Sequence, residues 1–377
     1  MTLDLAMVAG EASGDLLAGL LLKGLKARWP ELHAHGIGGP SMAREGFHAQ
    51  WPSERLAVRG YVEVLRHFPD IWSLRQQLLR RLTDAPPKIF VGVDAPDFNL
   101  GLERRLRQVG IKTVHFVCPS IWAWRGGRVQ RLAQSTDHVL CLFPFEPELL
   151  RPHGLRATYV GHPLADVIPM EPPREAARLS LGLKASDTVI ALLPGSRRSE
   201  MDYIAKTLFQ AAALLDRQQP GAQFVVPVAP GLHEQAQAIL SSCMGPRIQL
   251  VEGRSHEVLA ACDLTLIASG TATLEAALFK RPMVVAYKMH PLTWQMMKRM
   301  AYQPWVSLPN ILARDFLVPE LIQEACTPQA LATQALSWLD DPSRRAQVHQ
   351  TFCHLHRELR RDTARCAADA IAQELES

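Results

Sequence analysis

Leu3-Asp-Leu-Ala-Met-Val-Ala-Gly-Glu-Ala-Ser-Gly-Asp15 reads as a buried strand, Leu3–Ala9, that passes through a two-glycine turn into an amphipathic helix over Asp15–Trp29. The apolar run is short and ends in glycine, which favours extended chain over helix. The glycines let the backbone turn tightly, and Ser13 or Asp15 can cap the first helical amides. The pattern recurs. Ile89–Val93, Thr113–Cys118, Val139–Phe143 and Thr158–Val160 read as strands in the first half. Thr188–Leu193, Phe224–Val228, Ile248–Val251, Leu264–Ala268 and Met283–Tyr287 do so in the second, with helical patterns such as Phe98–Val109 and Met201–Leu215 between strands. Runs this apolar suit parallel strands covered on both faces, and repeated strand–helix–strand units predict doubly wound α/β domains.

The length, 377 residues, suits two domains at roughly 150 residues each. A break is expected near residues 163–185, where Pro163, Pro169, Pro172 and Pro173 crowd the charged segment Glu171-Pro-Pro-Arg-Glu-Ala-Ala-Arg178. The expected boundaries are 1–168 and 169–345 for two Rossmann-like domains. Residues 346–377 form a helical tail that packs back on the first domain or on a partner chain. A hydrophobic share of 47% excludes a disordered chain, and 41 basic against 37 acidic residues are too balanced for a general nucleic-acid binder. Seven cysteines without a Cys-x-x-Cys pair argue against a zinc site or disulfide framework and for a reducing compartment. The start lacks the basic residues and long apolar core of a signal peptide. No apolar stretch approaches the ~20 residues of a membrane span, so a soluble or peripheral protein is expected.

Several turns could carry chemistry. Gly10-Glu-Ala-Ser-Gly-Asp15 lies at a strand end, where α/β proteins bind ligands, and Glu11 is not needed for capping. Gly36-Ile-Gly-Gly-Pro40 reads as a second glycine turn without a dinucleotide fingerprint. In Val91-Gly-Val-Asp-Ala-Pro-Asp-Phe-Asn99, Asp94 ends a buried strand; it suits a general base as well as it suits a cap, while Asp97 reads as the helix cap. His115 and His162 read as hydrogen-bonded core residues. The aromatics of Ser120-Ile-Trp-Ala-Trp-Arg-Gly-Gly-Arg128 can stack on a ligand or cover a domain edge.

In the second half, Leu192-Leu-Pro-Gly-Ser-Arg-Arg-Ser-Glu200 is a phosphate-type turn in which Ser196 and backbone amides donate and Arg197 or Arg198 neutralises an anion. Ala268-Ser-Gly-Thr-Ala-Thr-Leu-Glu275 repeats the design: Ser269, Gly270 and Thr271 present amides to a diphosphate, and Glu275 can accept from ribose hydroxyls. Together they describe a nucleotide-diphosphate site. Between Glu63 and Arg81, apolar Phe68, Ile71, Trp72, Leu74, Leu78 and Leu79 alternate with Arg66, Arg75, Arg80 and Arg81. Such a segment either packs on its own sheet or lies on a membrane surface.

Taken in order, these motifs resemble the lipid-A-disaccharide synthase family, bacterial glycosyltransferases of family 19. The resemblance rests on Val8-Ala-Gly-Glu-Ala-Ser-Gly-Asp15, Asp94-Ala-Pro-Asp-Phe-Asn99, Ser120-Ile-Trp-Ala-Trp-Arg125, Val160-Gly-His162, Leu193-Pro-Gly-Ser-Arg197, Ala268–Glu275 and Ser307-Leu-Pro-Asn310. It implies a GT-B fold, two Rossmann-like doubly wound domains facing a cleft, with a helical C-terminal tail. It also implies an inverting reaction: UDP-2,3-diacylglucosamine and 2,3-diacylglucosamine 1-phosphate (lipid X) give a β(1→6) tetraacyl disaccharide 1-phosphate and UDP.

On that reading Asp94 is the base, with Glu11 second or orienting it. Ser13, Arg197, Ser269, Gly270, Thr271, Glu275 and Asn310 bind substrate or UDP. No D-x-D motif stands out, so no cofactor and no obligatory metal are expected. The acylated substrates shift residues 62–81 towards contact with the anionic inner-membrane surface through Phe68, Ile71, Trp72, Arg75 and Leu78. The enzyme is then cytoplasmic and peripheral, without a nucleic-acid partner, and the family's tendency to dimerise makes a homodimer an expectation of the resemblance alone. The competing readings are a UDP-N-acetylglucosamine 2-epimerase, a different glycosyltransferase, or a non-catalytic nucleotide-sugar-binding protein.

Overall fold

A computed structural model describes residues 3–10, 12–56, 61–122, 127–290, 294–295 and 303–376, with the side chains of 61–68 outside the description. The chain divides into two compact units, Met1–Asp166 with Leu359–Ser377, and Val167–Glu358. Unit 1 holds seven strands: β1 Leu3–Ala9, β2 Leu32–Gly38, β3 His48–Pro52, β4 Ile89–Val93, β5 Lys112–Phe116, β6 His138–Cys141 and β7 Arg156–Tyr159. Their order in the sheet is β3-β2-β1-β4-β5-β6-β7, parallel throughout. Unit 2 holds β8 Val189–Leu193, β9 Gln223–Val228, β10 Ile248–Glu252, β11 Leu264–Ala268, β12 Met283–Tyr287 and β13 Glu320–Ile322, in the parallel order β10-β9-β8-β11-β12-β13.

Strand β1 shows why these runs are apolar at every position. Leu3, Leu5, Met7 and Ala9 face one core with Leu21, Leu22 and Leu25 of helix Ala12–Arg28 and with Ala367 and Ile371 of helix Thr363–Glu376. Ala6 and Val8 face the other core, with Leu74, Leu78 and Leu82 of helix Tyr61–Asp84 and Leu102 and Leu106 of helix Pro96–Gln108. Both faces are covered, so alternation has no polar side to show.

Three strands depart from the sequence reading. Gly36-Ile-Gly-Gly-Pro40 is no free-standing turn, because Gly36–Gly38 complete β2, whose His33 and His35 break the apolar run. The half-exposed edge strands β3 and β13 also carry too few apolar residues to stand out. The expected boundary at 345/346 falls inside helix Pro342–Leu359, of which all but the last residue belongs to unit 2; the helix that returns to unit 1 is Thr363–Glu376. Its first amides, Asp362 and Thr363, donate to the Asp166 carboxylate at 2.9 and 2.7 Å.

Candidate active site

Each sheet has one point where the strand order reverses, between β1 and β4 in unit 1 and between β8 and β11 in unit 2. The crevice beyond the strand ends at such a point is where open α/β sheets bind ligands. Four of the turns singled out from the sequence leave these four strands.

In unit 1, Asp94 and Ala95 follow β4 with φ of 50° and 43°, both left-handed. Two consecutive non-glycine residues in that region cost on the order of 1–2 kcal/mol each, so the corner is held from outside. The Asp94 amide donates to the Phe116 carbonyl at 2.9 Å. The buried Asn99 side chain donates to the Asp94 carbonyl at 2.8 Å and reaches the Val93 and Val8 carbonyls at 3.4 Å. Ala95 is the N-cap of helix Pro96–Gln108, so the Asp94 carboxylate is not its cap. Asp97, the expected cap, lies one residue inside the helix start and pairs with Arg128 at 3.0 Å, largely exposed. Next along the crest, Val117 after β5 has φ 82°, a conformation its branched Cβ resists. Strain of this kind gathers at functional sites.

The turn after β1 needs one correction. Asp15 does not cap its own helix, which already begins at Ala12. It is buried and accepts from the amides of Gly39, Ser41 and Met42 at 2.9, 2.8 and 3.1 Å, satisfying the start of helix Pro40–Arg44. Ser13 is exposed in the first turn of helix Ala12–Arg28. Glu11 lies outside the described residues, as do Trp124 and Arg125.

Beneath the crest, His115 Nδ1 meets Glu103 Oε1 at 2.7 Å with both side chains fully buried, and burial pushes the Glu103 carboxyl up. Gly92 on β4 leaves room for this pair, because a Cβ there would overlap Glu103 Oε1 unless that carboxylate shifted. His115 is thus a core residue. His162 is one too: its Nδ1 accepts from the Leu164 amide at 3.2 Å, and burial holds it down to about 4. Trp122 donates its indole N–H to Glu146 Oε1 at 3.1 Å and stands edge-on to Phe143 and Phe145, which stack on each other. Glu146 Oε2 takes the Phe143 amide at 3.0 Å, and burial raises this carboxyl to about 8.

Helix Tyr61–Asp84 separates the expected membrane contacts. Trp72 is 51% exposed. Leu78 is fully buried in the core against helix Pro96–Gln108, so it touches no lipid, and Ile71 packs half-buried on the same cluster. Arg75 lies over Gly101 of that helix and near Arg105 and Arg131, with burial lowering its proton affinity. Its guanidinium covers a protein surface, and of the expected contacts whose side chains are described only Trp72 is exposed. Phe68 lies outside the described side chains. Among the described residues no helix is long and apolar enough to cross a membrane.

In unit 2, the turn after β8 differs from the expected phosphate loop. The amides of Ser196 and Arg197 donate to Glu200 Oε2 at 2.9 and 3.3 Å, a capping box that consumes them. Helix Arg198–Gln218 therefore carries its own carboxylate where an anion was expected. The Arg197 guanidinium, half-exposed and 3.5 Å from Glu200, and the exposed Arg198 remain the cationic groups of the turn.

After β11, the Ser269 amide is spent on Ala286 and its hydroxyl on the Val306 carbonyl at 2.8 Å, so Ser269 supports the loop. Gly270, at φ 151°, makes the corner, and the first amides of helix Thr271–Leu278 have no acceptor within the helix. One turn on, Glu275 Oε2 meets His256 Nε2 at 3.2 Å, a partner no sequence signal announced. Asn310 is fully buried: it exchanges hydrogen bonds with the Val318 backbone at 2.9 and 3.0 Å and donates to Glu320 at 2.8 Å. Its side-chain oxygen and amide are thus used on Val318 and Glu320 within the protein.

Comparison with known proteins matches these features to one family. Residues 5–375 match the family model described as lipid-A-disaccharide synthetase. The lipid-A-disaccharide synthase of Verminephrobacter eiseniae is 58% identical over 375 residues, covering 98% of this chain and 96% of that protein. That of Burkholderia thailandensis is 53% identical over 377 residues, covering 100% and 97%. Among solved structures, the UDP-GlcNAc 2-epimerase from Neisseria meningitidis bound to UDP-GlcNAc superposes over the full length of both chains with a TM-score of 0.63 at 12% identity. The glycotransferase of kitacinnamycin does so with a TM-score of 0.65 at 16% identity. At these identities the structures show the fold, a GT-B pair of Rossmann-like units. The chain belongs to the lipid-A-disaccharide synthetase family, glycosyltransferases of lipid A biosynthesis.

Proposed function

We propose that the chain transfers a 2,3-diacylglucosaminyl group from UDP to the 6-hydroxyl of 2,3-diacylglucosamine 1-phosphate, inverting the anomeric carbon. The observation that carries this reading is the strained Asp94–Ala95 corner at the switch point of unit 1, braced by Asn99. A carboxylate fixed at a strand end suits a general base. As the acceptor oxygen attacks the anomeric carbon, its proton passes to Asp94. The bond to the diphosphate breaks on the opposite face, and UDP leaves with the electron pair.

Charge develops on that diphosphate, and we assign the Arg197 guanidinium and the first amides of helix Thr271–Leu278 to stabilise it; the cationic turn and the helix start support this assignment. Glu275, oriented by His256, suits two ribose hydroxyls. No step needs a metal ion. Exposed Trp72, with Arg80 and Arg81 on the same helix, supports attachment to an anionic bilayer surface where both acylated substrates reside.

The test is UDP release from UDP-2,3-diacylglucosamine with and without the acceptor in detergent micelles. Acceptor-dependent release by wild type is expected. Asp94→Asn should reduce it by a factor on the order of 10²–10⁴ while UDP still binds. Release that persists in Asp94→Asn would remove Asp94 from the base role. Turnover lost on chelation and restored by magnesium would overturn the metal-free mechanism.

A further inference from the structure

We propose that Glu320 is a positioning residue for the nucleotide-sugar diphosphate, acting through the turn Val306–Asn310. The inference rests on the reading above, in which the loop after β11 holds that diphosphate. Glu320 opens the edge strand β13, and Val285 is its register partner on β12. Its Oε2 accepts from the Val306 amide at 3.0 Å. Its Oε1 accepts from the Ser307 amide, the Ser307 hydroxyl and Asn310 Nδ2 at 2.9, 2.6 and 2.8 Å. Four donors and no acceptor are the partner set of a carboxylate.

The turn gathered this way is stitched to the diphosphate loop by two further bonds. Ser269 Oγ donates to the Val306 carbonyl at 2.8 Å, and the Leu308 amide donates to Thr273 Oγ1 at 3.3 Å. Thr273 Oγ1 in turn donates to the Gly270 carbonyl at 2.8 Å, at the corner that sets the first amides of helix Thr271–Leu278. A continuous path therefore runs from Glu320 through residues 306–308 to the Ser269–Thr273 loop. Ser307 and Asn310 are completely buried, so water cannot replace the carboxylate. Asn310 belongs to the same path: its amide is divided between Val318 and Glu320, so it acts on the substrate through Glu320 and the turn.

The decisive variant is Glu320→Gln, which keeps the shape but turns an N–H against N–H donors. UDP affinity is measured by calorimetry, and KM for each substrate from UDP release, on protein with wild-type circular dichroism. An amide corner displaced by about 1 Å costs up to roughly a hundredfold. A 10- to 100-fold loss of UDP affinity is therefore expected, with a matching rise in KM for the UDP-sugar and no change in KM for the acceptor.

Ser269→Ala, which cuts a single bond of the path, should lose several-fold, and the double variant should lose less than the product of the two. Wild-type UDP affinity in Glu320→Gln, with or without a lower melting temperature, would overturn the proposal. Should that variant not fold, unchanged UDP affinity in Ser269→Ala overturns it equally. Wild-type protein that binds no UDP refutes the functional reading itself, an outcome separate from either.

Discussion

Glu146 offers a quantitative test of how burial sets protonation in unit 1. Its carboxyl is 1% exposed, and burial raises it from 4.5 to about 8 against the pull of the Phe143 amide and Trp122 indole. A carboxyl raised on folding stabilises the native state fully below its unfolded value and loses that contribution as pH rises through the folded one. Between pH 4.5 and 8 the native state thus holds one proton more than the unfolded chain at this site. Stability should fall there by on the order of 1 kcal/mol per pH unit, and by roughly 2–3 kcal/mol from pH 5.5 to 7.5. Glu146→Gln removes the titration while keeping an oxygen for the Trp122 N–H. Its amide group opposite the Phe143 N–H adds a cost that does not vary with pH.

Urea unfolding of both proteins at pH 5.5, 6.5 and 7.5, followed by tryptophan fluorescence, gives the offset between them, and whatever unit 2 contributes cancels. The variant should gain on wild type by on the order of 1 kcal/mol for each pH unit. An offset that is flat, or that slopes the other way, would mean that the native carboxyl is ionised and held by its two N–H donors.

Asp15→Ala strips the acceptor from three amides at the start of helix Pro40–Arg44; a loss of about 2–4 kcal/mol is expected, read from thermal melting, and a shift within error would remove Asp15 from its structural role. On the proposed membrane attachment, helix Tyr61–Asp84 separates two substitutions: Trp72→Ala should weaken binding to anionic vesicles without lowering stability. Leu78→Ala should cost about 2–5 kcal/mol of stability and leave vesicle binding per folded molecule unchanged. The reverse assignment in co-sedimentation and melting experiments would return Leu78 to the surface. Gly92→Ala forces a methyl onto Glu103 Oε1 and should destabilise by about 1–3 kcal/mol; an unchanged melting temperature would show that the Glu103–His115 pair can move aside.

What the sequence disclosed follows from the range of the forces involved. Strands β1, β4, β11 and β12 are legible residue by residue because both of their faces are buried. β2 is not, because its histidines lie towards the half-exposed end of the strand. Three of the four switch-point loops are visible as glycine-bearing turns after apolar runs, and the fourth, Asp94-Ala-Pro96, as a carboxylate and a proline after one. Their internal bookkeeping is hidden. Asp15, Glu146 and Glu320 each satisfy backbone amides, and for Asp15 and Glu320 those amides lie 13 to 27 residues away, where no local spacing signals the pairing. The Gly195–Arg197 turn misleads for the opposite reason: its pattern suits an anion, and Glu200, three residues beyond Arg197, supplies one.

The return of helix Thr363–Glu376 to unit 1 has a consequence for the order in which the protein matures on the ribosome. Residues 1–166 emerge first, yet their sheet lacks Ala367, Ile371 and the buried Glu374 that meets Arg156 at 3.0 Å. Domains usually complete folding in the order of synthesis. Here unit 2, contiguous from Val167 to Glu358, has its whole sequence available while part of one face of the earlier sheet, beside helix Ala12–Arg28, is still uncovered. A stalled chain ending before Thr363 would expose the apolar surface of helix Ala12–Arg28 that helix Thr363–Glu376 covers in the finished protein.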